Sequence, residues 1–268
     1  MLGAIAGDVI GSPYEFDNIR TTDFPLFGPE CAVTDDSVLT VAVADVLLRG
    51  DGDYTSRFHE YVATYPNPKG SYGRSFASWA QRRDKRPYNS WGNGSAMRVS
   101  PVAWAFESLD DVLVEAKRSA EVTHNHAEGI RGAQATAAAI YLARTTRDKG
   151  QVRNVVTEQF GYALDQTIPL LQRSNEFDES CQGTVPVAVI AVLESADFED
   201  AVRKAVSVGG DSDTIACIAG AIAHALYLDV PRTIVDRLFQ RHLNPRLADV
   251  TRRFMRRYNV PPVIDDAE

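Results

Sequence analysis

Apolar residues recur along this chain at three- and four-residue steps and hardly anywhere alternate with polar ones. Val38, Val41, Ala42, Asp45 and Val46 fall on one helix face. From Ala127 to Arg144 an alanine-rich stretch carries Ile130, Ala133, Ala137, Ile140 and Tyr141 at the same steps. That period belongs to helices, whereas a half-buried strand needs a period of two. Val185 to Leu193, Phe198 to Val206, Thr214 to Leu228 and Val235 to His242 also read as helices. The valine-rich run from Val185 to Val192 is short enough for a buried strand, but no hairpin signal flanks it and helix is preferred. Breakers such as Gly11-Ser12-Pro13, Gly50-Asp51-Gly52, Pro66-Asn67-Pro68 and Gly209-Gly210 are spread evenly, and none is long enough to link two domains. The expectation is one all-α domain over residues 1–262, with longer loops at the N-terminus and around 66–95. A short acidic tail at 263–268 follows it.

With 268 residues, 44% of them hydrophobic, the chain can bury a sizeable core without disulfide staples. Cys31, Cys181 and Cys217 are odd in number and widely spaced, which suits a reducing compartment better than a disulfide framework or a zinc cluster. The first residues are apolar but lack a basic stretch, and Asp8 interrupts them, so a signal peptide is not expected. The apolar run from Thr214 to Leu228 falls short of the roughly 20 residues of a membrane span. A cytoplasmic protein is expected, with no membrane partner. The formal charge of -8 gives no general attraction for nucleic acid or anionic lipid. An anionic substrate would need local help from cations, helix N-termini or glycine loops.

Two acidic clusters stand out. Thr34-Asp35-Asp36-Ser37 and Gly209-Gly210-Asp211-Ser212-Asp213-Thr214 each precede an apolar helix. Thr and Asp at such a place are good helix caps and complement the helix dipole. The same carboxylate and hydroxyl oxygens suit hard cations such as Mg²⁺, Mn²⁺ or Ca²⁺ rather than zinc. Two Asp pairs supply enough oxygens for a two-metal site with room for water and substrate. On spacing alone, capping and metal binding both stand.

Other features carry chemistry less directly. Glu15 sits in a Gly-Ser-Pro-Tyr segment that reads as an exposed loop. It is either a solvated carboxylate or a mobile general acid/base. Asp8 reads as structural. Ser71-Tyr72-Gly73 precedes a helix through Phe76 and Trp79. Asn89-Ser90-Trp91-Gly92-Asn93-Gly94-Ser95 is a glycine-rich entry to another helix, of the kind that offers backbone N–H groups to a diphosphate. It matches neither the P-loop nor the dinucleotide spacing. Trp91 either stacks on a base or ribose or plugs the core. His124 and His126, two residues apart, point to different faces of a helix, so a shared zinc is not expected. The basic stretch Arg241 to Arg257 distributes its charge round a helix, as a solvated face does.

Taken in order, Gly-Asp-x-x-Gly-Ser-Pro-Tyr-Glu, Thr-Asp-Asp-Ser, Gly-Asn-Gly-Ser-Ala-Met-Arg, Thr-His-x-His and Gly-Gly-Asp-Ser-Asp-Thr resemble the ADP-ribosylglycohydrolase family, of the dinitrogenase-reductase-activating glycohydrolase type. The resemblance runs from about residue 1 to about 245. It implies a compact orthogonal multi-helix bundle with two Mg²⁺ ions, or Mn²⁺ in their place, in a cleft. It implies hydrolysis of the bond between the anomeric carbon of ADP-ribose and a protein side chain, another ADP-ribose or a related leaving group. By motif, Thr34, Asp35, Asp36, Asp211, Asp213 and Thr214 would be metal ligands. Glu15 would be the catalytic acid/base, with Asp36 also at the reacting centre. Ser71 and Gly73 would lie near the diphosphate. Ser90, Trp91, Gly92, Asn93 and Gly94 would line the ribose pocket, and His124 the distal ribose or adenine end. Two positions depart from the usual pattern: Ser71 where Gly is common and Trp91 where Tyr is common. A non-catalytic ADP-ribose reader, and a metal-dependent hydrolase of another phosphorylated nucleoside, are the alternatives.

Overall fold

The computed structural model describes residues 1–82 and 85–262; the acidic tail expected at 263–268 lies outside the described residues. Among the described residues, fifteen α-helical segments follow in order. They are α1 (Leu2–Gly11), α2 (Asp35–Arg49), α3 (Tyr54–Thr64), α4 (Arg74–Gln81), α5 (Gly94–Met97), α6 (Val102–Ala105), α7 (Leu109–Glu121) and α8 (Ala127–Thr146). Then come α9 (Lys149–Asn154), α10 (Ile168–Ser174), α11 (Cys181–Leu193), α12 (Phe198–Ser207), α13 (Ser212–Tyr227), α14 (Arg232–Arg237) and α15 (Pro245–Arg257). Two isolated bridges, Thr34 to Lys69 and Gly92 to Ser180, are the β-type pairings among the described residues. The all-α expectation is met, and among the described residues no helix is long and apolar enough to cross a membrane.

The centre of the molecule is a pair of helices apolar on every side. All of α1 is buried, and so is α13 from Ser212 to Leu226. A helix hydrophobic all round has no solvent face and belongs in the core. Three glycines at four-residue steps let the pair approach at backbone distance. A Cβ on Gly3 would lie 2.2 Å from the Gly220 carbonyl, one on Gly7 1.9 Å from that of Ala216, and one on Gly11 2.7 Å from Asp213 Cα. Helices α2, α8, α11 and α12 pack around this pair.

Local chemistry explains the element ends. Asp53, Ser108, Asp148, Ser180, Asp197 and Asn244 each accept a backbone N–H of the helix they precede. Such caps satisfy donors that the helix itself leaves unpaired. Gly50, with φ of 70°, closes α2. Three expectations shift. The segment Gly7–Gly11, read as loop, is helix, because its glycines face a neighbouring helix rather than water. The helix expected from Val185 starts at Cys181, capped by Ser180. The one expected over Val235–His242 starts at Arg232, and its last five residues widen into a π turn at Leu238–His242.

Candidate active site

The helix pair at the core delivers both acidic clusters to one place. Asp8, on the last turns of α1, is fully buried and accepts from Thr34 N (3.3 Å), Thr34 Oγ1 (2.7 Å), Ser37 N (3.1 Å) and Ser37 Oγ. That ties the start of α2 to α1. Burial pushes the Asp8 carboxyl up to about 6 against the pull of these donors. The start of α13 is set by Gly209 and Gly210, both at positive φ, where a Cβ would strike Arg20 and Asn175. Asp211 then accepts from Asn93 Nδ2 at 2.6 Å, and the same amide nitrogen donates to Thr184 Oγ1 at 2.9 Å.

A cavity of about 530 Å³ opens at this junction. Its wall includes Glu15, Asp35, Asp36, Asp211, Asp213 and Thr214. One oxygen from each of Glu15, Asp211 and Asp213 lies within 4.8 Å of the other two. Asp36 Oδ1 is 3.4 Å from the Thr214 hydroxyl, while Asp36 Oδ2 and Asp213 Oδ1 are buried with no hydrogen-bond partner among the described residues. Asp45 on the same helix is a useful contrast. It is equally buried, but Arg49, Arg57 and Tyr61 all reach it within 3.6 Å. Buried charge is tolerated when paired and costs heavily when not. The site carboxylates are therefore arranged for a partner from outside the chain. Burial first, then mutual repulsion, raises Asp35, Asp36 and Asp213 well above the usual carboxylate range. A hard divalent cation answers oxygen-only donors of this kind, and the set fits it.

Glu15 ends a short 3₁₀ turn, Ser12–Tyr14, that continues α1. It is half-buried rather than on a free loop, and a Cβ on Gly70 would lie 2.5 Å from its Oε2. Burial, Asp211 and Asp8 push its pKa up to about 7.

The remaining expected residues divide. Ser71, Gly73, Ser90, Gly92, Asn93, Gly94 and His124 line the cavity. Both Asn93 amide hydrogens are committed to Thr184 and Asp211, so that nitrogen holds an acidic residue in place. Trp91 is not in the wall: its side chain is 57% exposed, with its ring 5.8 Å from that of His126. The backbone turns it outward because Trp91 O and Asn93 N pair with Cys181 N and Glu179 O. Thr34 is buried outside the wall, its hydroxyl donating to Asp8 and accepting from Asp36 N. For Thr34 the capping reading is the one the geometry displays. Tyr88, Arg74 and Glu179 line the cavity without having stood out in the sequence, as does Arg98, the last residue of a noted motif that was given no role. Tyr88 directly precedes the glycine-rich segment that begins at Asn89. Glu179 had no signal beyond the acidic run Glu176–Glu179.

A profile of the ADP-ribosylglycohydrolase family matches residues 1–261. The chain belongs to the ADP-ribosylglycohydrolase family. Like its relatives it is a hydrolase acting on glycosyl bonds. It is similar to the ADP-ribosylarginine hydrolase Tri1 of Pseudomonas putida, 27% identical over 261 residues covering 85% of this chain and 69% of that one. It is also similar to the human ADP-ribosylhydrolase ARH3, 26% identical, covering 85% and 84%. A solved structure described as an ADP-ribosylglycohydrolase-related protein complex superposes with a TM-score of 0.72 at 25% identity, covering 95% of this chain and 96% of that one.

Proposed function

We propose that this glycohydrolase cleaves the N- or O-glycosidic bond at the anomeric carbon of ADP-ribose attached to a protein or other leaving group, with Mg²⁺ held by Asp35, Asp36, Asp211, Asp213 and Thr214. The observation that carries the reading is the pair of buried, unpartnered oxygens, Asp36 Oδ2 and Asp213 Oδ1, on two carboxylates close enough for Asp36 to raise the pKa of Asp213. A bound divalent ion would neutralise that cluster, fix vicinal ribose hydroxyls and lower the pKa of a coordinated water.

The chain's own groups supply the rest. Cleavage at an anomeric carbon develops positive charge on the ring. A wall of carboxylates stabilises that charge. Glu15, pushed up to about 7 in the metal-free chain by burial and then by Asp211 and Asp8, has one oxygen close to Asp211 and Asp213 and is the carboxyl placed to hold or release a proton. It is placed to take the proton of an attacking water or to give one to the departing atom. The diphosphate needs donors elsewhere in the cavity wall. Arg74, Ser71 and the N-terminal turn of α4, whose N-cap Gly73 makes no side-chain cap, supply them.

The test is release of free ADP-ribose, followed by chromatography, from arginine-linked and serine-linked conjugates. Release from at least one conjugate by the parent chain, with a large fall in turnover and retained ADP-ribose affinity in Glu15→Gln, is expected. No release from any conjugate, with ADP-ribose binding intact, would instead mark a reader of ADP-ribose.

A further inference from the structure

We propose that Arg98 and Thr123 are positioning residues that lock His124 as the tautomer protonated on Nε2, so that its ring offers a hydrogen-bond donor to a substrate oxygen in the cavity. All three are buried, with Arg98 and Thr123 at 0% and His124 at 4% exposure.

The inference comes from counting protons. Arg98 Nη2 lies 2.8 Å from Thr123 Oγ1 and 3.0 Å from the Ser119 carbonyl. A guanidinium has only donors, so the threonine oxygen accepts there. Thr123 Oγ1 is also 2.8 Å from His124 Nδ1. The hydroxyl has one proton, and among the described residues His124 Nδ1 is the remaining acceptor within reach. If Nδ1 carried the proton instead, two donors would converge on one hydroxyl and its own buried proton would be left unpaired, which a buried site penalises. The hydroxyl therefore donates to Nδ1, and the ring proton sits on Nε2. The ring is neutral: burial and then the nearby Arg98 charge hold its pKa well below the usual histidine value.

The protonated nitrogen faces the cavity. His124 lines it beside Gly92 and Gly94, and a Cβ on Gly94 would lie 3.2 Å from Nε2. Glycine there leaves the imidazole edge uncovered. Arg98 is itself fixed by the face of Phe58, 4.4 Å from the ring centre, so its direction is set by packing. The relay thus turns a ring that could accept or donate into a donor only. It selects for acceptor oxygens, such as those of a phosphoryl or ribosyl group. The substrate half of this inference rests on the function proposed above; the tautomer does not.

Two measurements test it. Two-bond ¹H–¹⁵N correlation spectra of ¹⁵N-histidine-labelled protein, with His124 assigned from its loss in His124→Gln, report the tautomer directly. The expected spectrum shows protonated Nε2 and unprotonated Nδ1 in the parent and in Thr123→Ser, and a mixed or reversed pattern in Thr123→Val. Titration calorimetry with ADP-ribose in Mg²⁺ should show Thr123→Val binding about tenfold more weakly, a loss typical of one hydrogen bond, with Thr123→Ser near parent. A parent ring protonated on Nδ1 overturns the proposal even where Thr123→Val fails to fold. So does a Thr123→Val spectrum identical to the parent. A parent that shows the Nε2–H tautomer but does not bind ADP-ribose overturns the substrate half and the proposed function together.

Discussion

Replacing Asp213 by Asn removes one charge from a cluster whose members repel each other. Oxygens of Glu15, Asp211 and Asp213 lie within 4.8 Å. Two full charges at that spacing repel by about 3.5 kcal/mol at an effective dielectric near 20. Burial first raises the carboxyls of Asp36, Asp211 and Asp213 above the usual range, the direction that relieves some of this repulsion in the metal-free chain. A net gain of about 1–2 kcal/mol remains for the metal-free variant, or about 2–8 °C in melting temperature for a chain of this size. Asn is nearly isosteric, so packing is not disturbed. The parent, in turn, should gain about 2.7 kcal/mol from Mg²⁺ at a hundredfold excess over its dissociation constant, and the variant should gain little. Calorimetric melts of parent and Asp213→Asn, each in chelator and in Mg²⁺, give four values. If Asp213→Asn melts below the parent in chelator and is still raised by Mg²⁺ to the same extent, the unpartnered-carboxylate reasoning fails.

The pH dependence of the metal-free chain follows from the same shifts. Asp8, pushed up to about 6, and the more strongly raised site carboxyls bind protons more tightly folded than unfolded. Their contribution is therefore most favourable below the unfolded value of 3.8 and is lost as pH rises through the folded values. Melts in chelator should fall between pH 5 and 7.5, and Mg²⁺ should flatten that fall; a curve rising over this window in chelator contradicts it. Gly7→Ala places a Cβ 1.9 Å from the Ala216 carbonyl and should cost about 3 kcal/mol, whereas Gly28→Ala, with nothing within 4 Å, should be near neutral in the same denaturant titration. Equal midpoints for the two would show that α1 and α13 are not held at backbone contact. Asn93→Ala frees Asp211 and should weaken Mg²⁺ affinity by about tenfold, roughly the worth of one hydrogen bond to a charged group, read by calorimetry. Unchanged affinity would remove Asn93 from the support of the site.

How the acidic residues come together was only half visible in the chain. Thr34-Asp35-Asp36 and Asp211–Thr214 were legible because carboxylates ahead of an apolar helix are unusual twice over. Whether they served as caps or ligands was not, since that depends on which oxygens find partners after folding. In the structure Thr34 serves as a cap, while Asp36 and Asp213 keep an oxygen free. The glycines at 3, 7 and 11 carried a signal of close helix approach that a loop reading of the segment obscured. That Trp91 lies exposed and outside the cavity wall was not legible, because sequence shows an aromatic next to glycines but not which way a turn faces. Asn93 could have been read as a ribose contact or as the holder of Asp211, 118 residues away, and only the fold distinguishes these. The helical spacing succeeded where amphipathic or alanine-rich runs were long, as in α8 and α12. It failed at α1, where both faces are buried and no period remains to be seen.

The central claim is that the carboxylates joined by α1, α2 and α13 bind a divalent cation that cleavage of ADP-ribose conjugates requires. Its most direct test is release of ADP-ribose by chelator-stripped protein before and after Mg²⁺ is restored. The account predicts no release in chelator, full release with Mg²⁺, and none in either condition for Asp36→Asn. Undiminished release by stripped protein, or by Asp36→Asn, would contradict it.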